Sequence, residues 1–161
     1  MGHEFLDGES VLAFDLETTG ISTNTDRIVQ IALIGSNSTG DTVHYETLVN
    51  PRRPIPPGAS GVHGIFDSDV KGEQDFRHHA DEIHRLIENS VVVGHNIRKF
   101  DMPLLENEFR RIGRLPPKPK AMMDTLEIVR RVKLGRPHNL GSLCRRHGIS
   151  LDNAHLSLIH I

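Results

Sequence analysis

Residues 11–20 have the sequence VLAFDLETTG, an apolar run typical of a strand, then two carboxylates among apolar neighbours, then a Thr-Thr-Gly turn. Because successive side chains of a strand alternate faces, Asp15 and Glu17 point to one face and Leu16 points to the other. Two adjacent carboxylates repel each other, so we expect a cation beside them, and their hard oxygen atoms favour Mg²⁺ or Mn²⁺ over zinc. The alternative interpretation is a solvated carboxylate pair on an exposed strand face.

A second group of polar residues follows another apolar run. Residues 91–93 are three valines that lead into Gly-His-Asn at 94–96, and Asp101 comes five residues after Asn96. A third carboxylate therefore lies shortly after the carboxyl end of a predicted strand. Near the end of the chain, Asp-Asn-Ala precedes His155.

These three motifs together resemble the DEDDh 3′–5′ exonucleases, which are DnaQ-like enzymes of the ribonuclease-H-like superfamily and include the proofreading epsilon subunit of bacterial replicative DNA polymerase. The resemblance extends from about Leu12 to about His155, nearly the whole chain. It implies an α/β fold with a mixed sheet, made of an antiparallel hairpin and parallel strands and flanked by helices. We expect a single exonuclease domain over residues 1–161.

The resemblance also implies a site with two divalent cations, Mg²⁺ or Mn²⁺. In the family pattern Asp15 contacts both cations, Glu17 binds the one on the side of the nucleophile, and Asp101 binds the other. His155 takes the proton from the attacking water, a role that suits a side chain titrating near neutral pH. The positions implied to contact the substrate are Thr18, Thr19, Gly20, His63, Ile65, Asn96 and Phe100.

One position departs from the family pattern. The pattern has a fourth carboxylate five residues after the late histidine, and here that position is His160. Residues 156–161 also lack the charged outer face expected of a last helix, so we expect a truncated domain with a non-native tail. A missing oxygen ligand weakens Mg²⁺ binding more than Mn²⁺ binding, because Mn²⁺ accepts imidazole more readily.

The composition restricts the class of protein. A chain of 161 residues fits one domain with one core. The single cysteine, Cys144, excludes an internal disulfide framework and is typical of a reducing cytoplasm. No apolar segment approaches the roughly 20 residues needed to cross a bilayer, and the charged start does not resemble a signal peptide. We therefore expect a cytoplasmic protein without a membrane partner.

The charge is distributed unevenly along the chain. The formal net charge is -2, but residues 98–147 contain thirteen Lys and Arg against five Asp and Glu, whereas residues 1–97 contain six against fifteen. Such asymmetry indicates contact with nucleic acid, since phosphates bind where positive charge is gathered. Arg110, Arg111 and Arg114 are candidate phosphate contacts, and basic solvated helix faces are the alternative.

Hydrophobic periodicity and turn residues predict the secondary structure. Residues 27–35 and 42–49 are predicted strands of an antiparallel hairpin, residues 91–93 a strand parallel to the first, and residues 121–125 the end of another strand. Residues 50–58 and 115–120 are predicted to be proline-rich loops. Helices are predicted at 75–89, 100–112, 126–134 and 139–147, with Asn96 as a candidate cap before the second.

Three classes of function remain open from the sequence. The leading hypothesis is a metal-dependent exonuclease that releases nucleoside 5′-monophosphates from the 3′ end of single-stranded DNA or RNA, with a DNA polymerase subunit as a candidate partner. The second is a catalytically impaired module of the same fold that binds nucleic acid or a polymerase, which the missing carboxylate favours. The third is a phosphohydrolase acting on small nucleotides, which would not need the positive half of the chain.

Overall fold

The computed structural model describes residues 6–149 and contains five strands and six helices in that range. The strands are β1 (Val11–Thr18), β2 (Ile28–Ser36), β3 (Thr42–Leu48), β4 (Val91–Gly94) and β5 (Ala121–Asp124). The helices are α1 (Pro57–His63), α2 (Asp67–Val70), α3 (Phe76–Ile87), α4 (Asp101–Arg111), α5 (Thr125–Arg131) and α6 (Leu140–Arg146). None of the helices described is long and apolar enough to cross a membrane.

The strands form one mixed sheet in the order β3-β2-β1-β4-β5. Strand β1 pairs antiparallel with β2 and parallel with β4, and β4 pairs parallel with β5. Strands β2 and β3 form the antiparallel hairpin. The predicted mixed sheet flanked by helices is confirmed, with β1 at its centre.

Two helices cover the sheet and form the main core with it. Helix α3 contributes Phe76, Ala80 and Ile83 at the spacing of one helix face, and α4 contributes Leu104, Leu105 and Phe109 among others. Burying each of the Leu, Ile and Phe side chains in this core stabilises the fold by roughly 1.5–3 kcal/mol. The rings of Phe76 and Phe109 pack edge to face with centroids 5.1 Å apart, which joins the two helices directly.

Helix α1 lies partly where the sequence predicted a proline-rich loop. Pro57 begins the helix, where its missing N–H costs nothing, and Gly64 ends it with a φ of 72°. The proline-rich prediction for residues 50–58 was therefore wrong at its last two residues. A second, smaller core attaches this region to the sheet through Val29, Ile55, Ile65 and Val70.

Asn96 does not cap α4 with its side chain. The residue before the helix is Phe100, and Asn96 lies one turn earlier with a left-handed φ of 61°. Its N–H donates to Asp124 Oδ1 at 2.8 Å, and its carbonyl accepts from the Phe100 N–H at 3.1 Å. Asn96 thus turns the chain from β4 towards α4, a role that its tolerance of left-handed backbone allows.

Gly94 lets the end of β4 approach β1 closely. A Cβ on Gly94 would lie 2.6 Å from the Phe14 carbonyl oxygen and 2.3 Å from Ile97 Cγ2. The first of these atoms belongs to the backbone of the central strand, and Ile97 is fully buried, so neither neighbour moves freely. The absence of a side chain at this position therefore allows the end of β4 to lie close to the middle of β1.

Replacing Gly94 with alanine is expected to lower the free energy of unfolding by about 1–3 kcal/mol, the usual cost of an overpacked core. Gly58→Ala is the matched control, because nothing lies within 4 Å of its Cβ position in α1; it should be neutral or slightly stabilising. Urea denaturation of both variants measures the difference. Equal stability of the two variants would contradict the close approach of β4 to β1.

Candidate functional site

Three carboxylates from two distant segments meet at the carboxyl end of β1. Asp15 and Glu17 belong to β1, and Asp101 is the first residue of α4. Their exposed fractions are 1%, 7% and 0%. The Leu16 N–H donates to Asp101 Oδ1 at 3.1 Å, so the third carboxylate is attached to the backbone between the other two. We call Asp15, Glu17 and Asp101 the acidic cluster.

Most oxygen atoms of the acidic cluster have no hydrogen-bond donor. Within residues 6–149, both Oδ atoms of Asp15, Glu17 Oε1 and Asp101 Oδ2 are buried without a partner. A buried anion without a donor or a cation costs several kcal/mol. The cluster therefore needs either protons or a bound cation at neutral pH.

The pKa values of the three carboxyl groups are raised by burial, and no ion pair within residues 6–149 balances their ionised forms. Burial raises the pKa of Asp15 to about 9, and the charges of Asp101 and Glu17 add to the rise. Burial raises the pKa of Glu17 to about 7. Burial also raises the pKa of Asp101 to about 7, although the Leu16 N–H acts in the opposite direction. A divalent cation would reverse these shifts by favouring the ionised carboxylates.

The donor set fits a hard cation. The unpartnered atoms of the acidic cluster are carboxylate oxygens, which are the ligands that Mg²⁺ and Mn²⁺ prefer. Between residues 6 and 149, however, no three His, Cys, Asp or Glu side chains are already spaced as a formed metal site. The acidic cluster is thus a concentration of buried charge rather than a closed coordination shell.

Asp124 holds the loop that leads from β4 towards Asp101. Its Oδ1 accepts from the N–H groups of Asn96 and Leu126 at 2.8 and 3.0 Å, and its Oδ2 accepts from the Arg98 N–H at 3.1 Å. His95 Nδ1 lies 2.9 Å from Thr125 Oγ1 and ties the same loop to α5. These bonds position the loop without occupying the acidic cluster.

His63 holds the end of β1 from the other side. Its Nδ1 accepts from the Ile65 N–H at 3.1 Å, which leaves Nε2 to donate to the Thr18 carbonyl at 3.1 Å. The side chain is buried at the end of α1. His63 therefore lies beside the acidic cluster and supports the backbone that carries Glu17.

A groove of about 340 Å³ opens next to Glu17. Six residues predicted from the sequence line it, and they are Glu17, Thr18, Gly20, His63, Asn96 and Phe100. The other lining residues are Leu16, Ile21, Ala59 and Val62. We call this space the Phe100 groove. With a carboxylate at one side and mostly apolar walls, it can hold an organic ring beside an oxygen-binding cation.

Sequence reasoning missed four of the ten lining residues: Leu16 in β1, Ile21 in the turn after β1, and Ala59 and Val62 on α1. Ala59 and Val62 are three residues apart on α1, so they face the same side of the helix. The Pro-Pro-Gly at 56–58 with Gly64 was the available signal, since proline begins helices and glycine ends them. Ile21 is 93% exposed, an unusual place for a large apolar side chain.

Two other predicted site residues, Thr19 and Ile65, do not line the groove. The Thr19 hydroxyl donates to Asp26 Oδ1 at 2.8 Å and accepts from the Arg27 N–H at 3.0 Å, so it closes a loop instead of lining the groove. Ile65 is buried in the smaller core. His155 lies outside the described residues, as does position 160.

The predicted phosphate contacts are engaged within the protein. Arg110 pairs with Glu106, Arg111 with Glu108, and Arg114 with Asp81. Solvated helix faces, the alternative from the sequence, fit the exposed Arg110, whereas Arg111 is bound to the buried Glu108. In the part of the chain that the structure describes, seven of the thirteen basic residues at 98–147 have a side-chain partner. The other six form no ion pair and no side-chain hydrogen bond there: Lys99, Lys118, Arg130, Arg131, Lys133 and Arg136.

The sequence matches a family model described as "Exonuclease" over residues 12–159. The chain is 28% identical over 153 residues to the PolC-type DNA polymerase III of Streptococcus suis, which covers 94% of this chain and 10% of that protein. It is 33% identical over 144 residues to the 3′-5′ exonuclease DinG of Staphylococcus epidermidis, covering 88% of this chain and 16% of the relative. The chain thus spans a small part of these curated relatives.

The fold also matches solved structures. One is the crystal structure of E. coli Exonuclease I in complex with a dT13 oligonucleotide, with a TM-score of 0.79 and 22% sequence identity. The match covers 94% of this chain and 38% of the other. At this identity the likeness concerns the fold.

The raised carboxyl pKa values predict how the stability of the metal-free chain depends on pH. A carboxyl group with a higher pKa in the folded state holds its proton more tightly there. Its stabilising contribution is therefore complete below the unfolded pKa and is lost as the pH rises towards about 9 for Asp15. Asp15→Asn should consequently raise the Tm at pH 8 in EDTA, by about 2–4 °C for each 1 kcal/mol relieved.

Calorimetry of parent and variant checks this expectation, with the exposed Glu73→Gln as a control. Adding Mn²⁺ should raise the Tm of the parent chain more than that of Asp15→Asn, because only a ligand that binds the folded state stabilises it. A Tm of Asp15→Asn at or below that of the parent at pH 8 would contradict the charge deficit described above.

Proposed function

The chain belongs to the exonuclease family, and on that premise we propose that it is a metal-dependent 3′–5′ exonuclease that releases nucleoside 5′-monophosphates from nucleic-acid ends. The family confirms the resemblance found in the sequence motifs. The substrate, the identity of the metal and the roles of individual residues are parts of the proposal. They are supported by the arrangement of the acidic cluster beside the Phe100 groove.

The observation that carries the proposal is the set of buried carboxylate oxygens without a donor at the end of β1. A solvated carboxylate pair, the alternative from the sequence, does not fit side chains that are less than a tenth exposed. Asp15, Glu17 and Asp101 would hold Mg²⁺ or Mn²⁺, two per site in the family pattern. The bound cations would generate a hydroxide nucleophile and shield the charge on the phosphoryl oxygens.

The chain's own residues would orient the substrate. The Phe100 groove has the size and apolar lining for a terminal nucleoside, and Glu17 of the acidic cluster is among its lining residues. His63 and Asp124 hold the two backbone segments that border the acidic cluster. His155 is the proposed acceptor of the proton from the attacking water.

The candidate substrates and partners follow from the relatives. Exonuclease I was solved with a single-stranded oligonucleotide, and a PolC-type polymerase is among the proteins that this chain resembles. We therefore propose a single-stranded DNA or RNA 3′ end as substrate and a polymerase subunit as a candidate partner, in the cytoplasm. The impaired binding module is the second candidate, favoured by the histidine at position 160.

Digestion of 5′-labelled single-stranded DNA and RNA oligomers tests the proposal. We expect stepwise release of mononucleotides from the 3′ end, with more activity in Mn²⁺ than in Mg²⁺ and none in EDTA. Asp15→Ala should lower the rate by about 10²-fold or more, the scale of losing one well-placed electrostatic stabiliser. The exposed Glu73→Ala should retain parental activity. Binding without cleavage in either metal would favour the impaired module, and cleavage confined to free nucleotides would favour a phosphohydrolase.

Salt dependence locates the phosphate contacts. Arg131 and Lys133 are exposed and form no ion pair with any residue between 6 and 149, whereas Arg110 is bound to Glu106. Arg131→Gln and Lys133→Gln should each lower the slope of log Kd against log salt by about 1, and Arg110→Gln should leave it unchanged. Fluorescence anisotropy of a labelled single strand gives these slopes. If only Arg110→Gln changed the slope, the phosphate contacts would belong to the ion-paired arginines instead.

A further inference from the structure

The loop at residues 19–27, which joins β1 to β2, forms one wall of the Phe100 groove. Gly20 and Ile21 of this loop line the groove directly. Part of the loop is fixed by its own residues, since Asp26 accepts from the Thr19 hydroxyl and from the Ser22 N–H. A Cβ on Gly20 would lie 2.5 Å from the Asp26 carboxylate, so this half of the loop is tightly closed.

The other half of the loop is held from outside. Its carbonyl groups at four consecutive residues, 23–26, all accept hydrogen bonds from side chains of other segments. Asn107 Nδ2 donates to the Thr23 carbonyl at 2.9 Å, and Arg53 Nη1 donates to the Thr25 carbonyl at 2.7 Å. A loop with no regular structure is thereby given a fixed position.

Arg111 makes the central contacts of this set. Its Nη2 donates to the Asn24 carbonyl at 2.7 Å and its Nη1 to the Asp26 carbonyl at 3.2 Å. The same guanidinium lies 3.2 Å from Glu108 Oε1. The planar fork of arginine reaches several acceptors at once, which the single ammonium of lysine does not do.

Glu108, the residue that anchors Arg111, is buried and has further partners. Glu108 is 1% exposed, and its Oε1 also accepts from Arg27 Nε at 2.7 Å and from the Ile28 N–H at 3.3 Å. Helix α4 therefore carries Asp101 of the acidic cluster at its first residue and the loop contacts near its last. One rigid helix relates the groove wall to the acidic cluster.

We propose that Arg111 and Asn107 are positioning residues that set the loop at 19–27 against α4 and thereby set the groove wall that holds the substrate's terminal nucleotide. This inference rests on the proposed function, which assigns the Phe100 groove to the terminal nucleotide of the substrate. It assigns the arginine to substrate alignment through the loop carbonyls, in place of the phosphate contact expected from the sequence. Within residues 6–149 neither side chain hydrogen-bonds to or pairs with the acidic cluster, so we expect metal binding to be unchanged when they are replaced.

Two variants remove the contacts with little change in volume. Arg111→Lys keeps the charge and loses the fork, and Asn107→Asp replaces the donor to the Thr23 carbonyl with an acceptor. Arg85→Lys is the matched control, because Arg85 is exposed and, among residues 6–149, its side chain bonds only Glu82 on its own helix. Hydrogen exchange should accelerate by about tenfold in residues 19–27 of both test variants and remain parental in the control.

Oligonucleotide kinetics give the functional readout. We expect both test variants to raise KM by about fivefold or more with kcat changed by less than about twofold, because the acidic cluster is intact. Unchanged exchange in residues 19–27 would overturn the positioning role. Faster exchange with a parental KM would overturn the link between the loop and substrate. A parent chain that neither binds nor degrades oligonucleotides would instead refute the proposed function. Because the parent chain is assayed first, this outcome is distinguished from a failure of the positioning role.

Discussion

The hydrogen bond from the Leu16 N–H to Asp101 Oδ1 connects the two parts of the chain on which the site depends. It joins the central strand to the start of α4 across 85 residues of sequence. Leu16 faces the core, while Asp15 and Glu17 on either side of it face the site, so a single backbone contact brings three carboxylates together. Burying like charges without donors opposes folding, and the apolar burial in the main core offsets this cost in free energy.

Helix α4 extends the effect of this contact to the rest of the site. Its apolar face is buried against the sheet and α3, which fixes its direction. Its last turns hold Glu108, whose carboxylate is shared by Arg27, the Ile28 N–H and Arg111. Removing one partner from such a buried ionic group is strongly destabilising, since it leaves the other charges unpaired. The start of β2, the loop at 19–27 and the acidic cluster are thus related through one helix.

The acidic cluster and the sheet could be predicted from the sequence because their signals are local. Strand alternation placed Asp15 and Glu17 on one face, and the run of valines before Gly94 indicated a parallel neighbour. The predictions that failed depend on contacts between residues far apart in the sequence, or on helix-start signals that were read as loop signals. Nothing local to Arg114 reveals its ion pair with Asp81, and the turn at Asn96 is set by Asp124, 28 residues later. The start of α1 at Pro57 was missed because prolines indicate loops as well as helix starts.

The central claim is that the buried carboxylates of Asp15, Glu17 and Asp101 form the cation site of this exonuclease-family domain. Anomalous diffraction at the manganese edge, from crystals soaked in Mn²⁺, tests it most directly. The account predicts a strong anomalous peak bounded by these three carboxylates, with oxygen ligands at roughly 2.0–2.3 Å, and its loss in crystals of Asp15→Asn. A saturated soak with no peak among these carboxylates, or with peaks only at surface residues, would contradict it.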